Sequence, residues 1–69
     1  MASRIIRSFS MDFTMQVEHA QRADGTWFRR CQYRDARYGY KWSAWQQVVN
    51  GPSGHASETG RTARLPRVA

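Results

Sequence analysis

The chain is short of most things that hold a small protein together. It has one cysteine, Cys31, so no internal disulfide can form. Its two histidines, His19 and His55, and Cys31 are scattered, with neither Cys-x-x-Cys nor His-x-x-x-His spacing, so no metal site is expected. No apolar run approaches the ~20 residues that span a bilayer. The segment MASRIIRSFSMDF is interrupted by Arg7, Ser8, Ser10 and Asp12, so no signal peptide is expected, and a cytoplasmic location in a bacterial host is the expectation. There is no Gly-rich phosphate loop, and neither histidine has a carboxylate or cysteine at catalytic spacing. Asp12 and Glu18 would lie about 20 Å apart on one strand, at ~3.3 Å per residue, too far for an acid/base pair. A non-enzymatic protein without a cofactor is expected.

Acidic residues are few and lysine is nearly absent. Five acids face eleven bases, giving a formal charge of +6, and Lys41 is the only base that is not arginine. Arginine carries a weakly hydrated planar fork that suits carboxylates, phosphates and aromatic faces. A chain so basic is drawn to nucleic acid, anionic membranes or acidic protein surfaces. At 69 residues it makes one domain at most. A unit this small buries a modest fraction of its surface, so a partner or self-association is the expected support.

What is present is alternation. Phe9, Met11, Phe13, Met15 and Val17 alternate with polar residues over 8–18, the period of a half-buried strand. Asp24-Gly25 supplies a hairpin turn. A second strand follows over 26–34, with Trp27, Arg29, Cys31 and Tyr33 on one face and Phe28, Arg30, Gln32 and Arg34 on the other. Asp12 and Glu18 are expected to pair across the sheet with arginines of this strand. Residues 35–39 form the next turn, and 40–49 a third strand. Trp42 and Trp45 stand an odd number of residues apart, so a regular strand sends them to opposite faces unless a bulge intervenes. Residues 50–69 hold no aromatic side chain and read as a flexible Gly/Ser/Arg-rich tail.

The resulting expectation is an all-β fold: a small three-stranded antiparallel meander over 1–49 with a disordered basic C-terminal tail over 50–69. Its apolar face, Phe9, Met11, Phe13 and Met15, would need a cover, and a homodimer packed face to face supplies one. The stretch 26–49 holds all three tryptophans and all three tyrosines, interleaved with basic residues. Arg29, Arg30, Arg34, Arg37, Lys41 and Trp45 are the candidate binding residues, since Arg and Trp are common interface hot spots. The same composition also serves a fold by itself, through strand-favouring aromatics and arginine stacked on Trp. Cys31 reads as a structural thiol.

Gln16, Gly25, Trp27-Phe28-Arg29-Arg30 and Trp42-Ser43-Ala44-Trp45 with Val48 together resemble the W-S-x-W β modules of phage tail fibres and bacteriocin fibres, the pyocin-knob type. The resemblance covers about half the chain and implies a phage or prophage origin and a β fold used for binding. Fibre modules belong to long, trimeric proteins and lack the Arg-rich tail. The W-S-x-W step also occurs in thrombospondin type-1 repeats, whose disulfides a lone cysteine cannot supply. The leading expectation is a small basic binding protein of phage or mobile-element type. It would occupy an acidic site on a host protein complex, as an anti-defence inhibitor would. The alternatives are direct nucleic-acid binding through the basic aromatic sheet face and a structural fibre or virion module.

Overall fold

The computed structural model describes residues 3–9, 15–52 and 56–67. Its elements are all strands: β1 (Ser3–Phe9), β2 (Gln16–Gln21), β3 (Trp27–Asp35), β4 (Gly39–Trp42), β5 (Gln46–Val48) and β6 (Ser57–Ala63). They form one antiparallel sheet in the order β4-β3-β2-β1-β6, with β5 pairing β3 beside β4. The all-β, antiparallel expectation holds; the strand number is six rather than three.

Three differences from the sequence reading have physical causes. The alternation over 8–18 is not one strand. Ser8 faces Val17 and Phe9 faces Gln16 across the β1–β2 ladder, so the chain reverses between them. Alternation continued across a reversal looks, in sequence, like one long strand. Of the apolar face assigned to a dimer, Met11, Phe13 and the side chain of Phe9 lie outside the described residues, and Met15 is half-buried.

The second difference lies at 43–45. Trp42 faces Gln32 and Gln46 faces Arg29, so three residues of one strand oppose two of the other. A bulge thus intervenes between the two tryptophans, where a regular strand would have sent them to opposite faces. Ser43 bridges it: its N–H donates to the Cys31 carbonyl at 2.9 Å, and its Oγ accepts the Cys31 N–H at 2.9 Å. Cys31 itself is half-buried mid-strand.

The third is the segment assigned to a tail. Residues 57–63 form β6 against β1, and Leu65 is buried. The strand SETGRTA shows no apolar alternation, and the ladder hydrogen bonds offered by the β1 edge join polar side-chain contacts of Glu58, Thr59 and Arg61 in holding it. Ile5 on β1 faces three residues of β6, between the Arg4↔Thr62 and Ile6↔Glu58 pairs, and Gly60 takes a positive φ of 76° within that bulge. The Thr59 hydroxyl donates to the Ile5 carbonyl.

The core is one row across the sheet. Ile5, Ala20 and Phe28 are mutual cross-strand neighbours, all essentially inaccessible, and Leu65 closes over them with Trp45 and Ala63 alongside. Fully burying Phe28 or Ile5 contributes about 1.5–3 kcal/mol each. Arg22 stacks on the Phe28 ring at 4.8 Å and donates to the Pro66 carbonyl, tying the C-terminal segment to the core. The sheet thus curls over its own apolar row, which Trp45 before β5 and Ala63 and Leu65 at and beyond the end of β6 help to cover.

Candidate binding surface

The next row on the core face is charged. Arg7, Glu18 and Arg30 are cross-strand neighbours on β1, β2 and β3. Glu18 is fully buried. Arg30 donates from Nε to Oε1 at 2.7 Å and approaches the same oxygen through NH2 at 2.5 Å; Arg61 of β6 reaches Oε2 at 3.2 Å. Of the two acids expected to pair across the sheet with arginines, Glu18 does so, and Asp12 lies outside the described residues. The Arg30 guanidinium lies between two indoles, 4.6 Å from the Trp42 ring and 4.7 Å from the Trp45 ring. The bulge at 43–45 brings both tryptophans to this face. Among the six candidate binding residues, Arg30 and Trp45 are thus engaged inside the molecule.

Two turns organise the remaining charges. Asp24 Oδ1 accepts the Thr26 N–H at 2.9 Å, and this bond is the main cause of an Asp24 pKa below the usual carboxylate value. Asp35 Oδ1 accepts the N–H groups of Arg37 and Tyr38 at 2.8 and 3.1 Å, and Gly39 follows at φ 77°. Asx turns of this kind fold the backbone back without help from the core. Glu58 pairs with Arg4 at 3.6 Å. Every described acid is therefore committed to a fold contact, and among the described residues Arg34 and Arg37 are two of the arginines without an ion pair.

Those arginines gather on the β3–β4 ribbon. The β2–β3 ladder runs from Gln21↔Trp27 to Val17↔Cys31, and beyond it Gln32–Asp35 pair with Gly39–Trp42. On this ribbon Arg34 faces Tyr40 on one side of the sheet, and Tyr33 faces Lys41 on the other. Lys41 Nζ sits 4.5 Å over the Tyr38 ring. Tyr33, Tyr38 and Tyr40 are 42%, 68% and 64% exposed, and Arg34, Arg37 and Lys41 are exposed with them. Among the described residues neither Arg34 nor Arg37 has an ion pair. Arg29 is exposed on the face opposite Arg30, between His19 and Gln46. Arg34, Arg37 and Lys41 thus share one ribbon, with Arg34 and Lys41 on opposite sides of the sheet, while Arg29 lies before the ribbon on the side of Lys41.

The back face carries His19 against Trp27, edge-on at 6.3 Å between centroids. Burial chiefly, and the neighbouring Arg29 charge secondarily, lower the His19 pKa below 6.5. Trp27 also lines an open groove with Asp24, Thr26, Gln47, Val48 and Val49 at the end of the sheet away from the ribbon. Among the described residues no three His, Cys, Asp or Glu side chains converge as a metal site would require, and no helix is long and apolar enough to cross a membrane.

Sequence reasoning passed over Arg7 and Arg61 as sheet-centre residues. The only available signal for Arg61 was an arginine placed next to Gly60 in an otherwise polar segment. No family model, curated protein or solved structure matches the chain.

Proposed function

We propose that the chain is a non-enzymatic binding protein whose β3–β4 ribbon docks on an acidic surface of a partner protein. The observation that carries this reading is the ribbon itself: three exposed tyrosines interleaved with Arg34, Arg37 and Lys41, with the ribbon's own acid, Asp35, bonded to the backbone N–H groups of its turn. Tyrosine and arginine are enriched at protein interfaces and lysine is depleted, and the chain has ten arginines to one lysine. Tyrosine supplies large contact area at low entropic cost. The role proposed is stoichiometric occupation of a site on a host protein complex, in the manner of a phage or mobile-element inhibitor, with the fibre-module resemblance as support for that origin.

A second reading rests on the same ribbon's shape. A two-stranded β-ribbon fits the major groove of duplex DNA, and exposed tyrosines can stack on unpaired bases. It calls for affinity that falls steeply with salt.

The test compares the wild-type chain with an Arg34→Glu/Arg37→Glu variant as bait in nuclease-treated bacterial lysate, alongside titrations into labelled single-stranded and duplex DNA and RNA. The protein reading expects an acidic partner, identified by mass spectrometry and confirmed with purified protein. It should be retained by wild type and lost by the variant, whose thermal melt is unchanged. Equal retention by both, or binding to nucleic acid alone, overturns it.

A further inference from the structure

One arginine of the charged row has a buried Nε without a hydrogen-bond partner. Glu18 lies between Arg7 on β1 and Arg30 on β3, yet its Oε1 is taken by Arg30 and its Oε2 by Arg61. Three arginines thus surround one buried carboxylate. Arg7 has no ion pair among the described residues, and its Nε is buried without a hydrogen-bond partner. Arginine stays charged at every ordinary pH, so it cannot relieve this by losing a proton. A buried charged donor left unsatisfied costs several kcal/mol in general, and such groups occur where an anion is bound.

We propose that Arg7 and Arg61 form a binding site for an oxyanion, the planar or tetrahedral group of a carboxylate or phosphate. Each flanks Glu18, Arg7 by cross-strand register and Arg61 by its bond to Oε2. The Arg61 side chain is half-exposed, which gives the anion a way in from solvent. The two arginines come from adjacent strands, and the β6 bulge at Gly60 places Arg61 opposite Ile5, two residues from Arg7 along β1. The arginine fork can donate two parallel N–H bonds to two oxygens of one anion, and the buried Nε of Arg7 is one such donor. The added negative charge offsets the excess of positive charge around Glu18. This site lies on the sheet centre and does not depend on the ribbon's role.

The experiment is an NMR titration of the full-length, ¹⁵N-labelled chain that follows the arginine Nε–H resonances. Sodium phosphate and sodium acetate are added in separate series, with sodium chloride at matched ionic strength as reference. The expected result is a saturable shift of the Arg7 and Arg61 Nε–H signals with phosphate, acetate or both, absent with chloride and absent at Arg34. The stronger series tells whether phosphate or carboxylate is the preferred group. Arg7→Lys, which keeps the charge but removes the fork, should weaken the response about tenfold or more. No saturable shift at Arg7 in either series, or the same shift with chloride, overturns the site. The wild-type titration decides the matter even if Arg7→Lys fails to fold.

Discussion

Arg30 and Glu18 face each other across β3 and β2, and the carboxylate they share is wholly inside the protein. The pair has aromatic neighbours, with the guanidinium 4.6 Å from the Trp42 ring and 4.7 Å from the Trp45 ring. In a sheet of this size the interior is too small for an apolar core alone, and the Arg–Trp stack fills the space next to Phe28 while the carboxylate satisfies the donors. Long arginine stems bury apolar surface as well as charge.

Removing one partner of this pair should be costly. Glu18→Leu leaves Arg30 and Arg61 without a carboxylate, and breaking a buried pair by deleting one side costs about 3–5 kcal/mol. A fold this small has little more stability than that. Urea denaturation followed by tryptophan fluorescence should show the single variant largely unfolded. Arg30→Met combined with Glu18→Leu should recover part of the loss, because the uncompensated charge beside the indoles is gone. Equal stability of Glu18→Leu and wild type would show that the pair contributes nothing.

The C-terminal segment should behave as part of the fold. Leu65 is buried against Ile5, Ala20 and Phe28. Leu65→Ala is expected to cost about 2–5 kcal/mol, whereas Tyr38→Ala on the ribbon should stay within about 0.5 kcal/mol. Thermal melts of the two variants check this directly. Indistinguishable melts for wild type and Leu65→Ala would mean that residues after β5 contribute no packing.

Acid should weaken the protein through His19. Its folded pKa is depressed, so below 6.5 the unfolded chain binds more protons than the folded one. The stability held by the neutral imidazole is full above pH 6.5 and is lost as pH falls through the folded value. In a His55→Gln background, where His19 is the only imidazole, the melting temperature should drop between about pH 7.5 and about pH 5. His19→Leu should flatten that part of the profile. An unchanged slope in the variant would assign the pH dependence to other groups.

Much of the local structure was legible from residue order alone. The turns at Gly25 and Gly39 follow from Asp-Gly and from Asp35 with Gly39, since Asx turns and positive φ are properties of a few adjacent residues. The faces of β3 follow from the two-residue period. The lone cysteine excluded an internal disulfide, and the excess of arginine announced a basic surface. The tryptophan spacing even required a choice between opposite faces and a bulge.

What residue order could not decide was which arginines are surface and which are interior. Arg29 and Arg30 are neighbours in sequence, yet one is exposed and the other lies between two indoles on a buried glutamate. That outcome depends on the β2–β3 register, on a bulge fifteen residues away and on Arg61 arriving from the far edge of the sheet. Likewise, nothing local marks Leu65 as core, because its partners are Ile5, Ala20 and Phe28. Periodicity and turn chemistry act over a few residues and are carried by the sequence itself. Burial and charge compensation are sums over strands distant in sequence, and only the curled sheet brings their terms together.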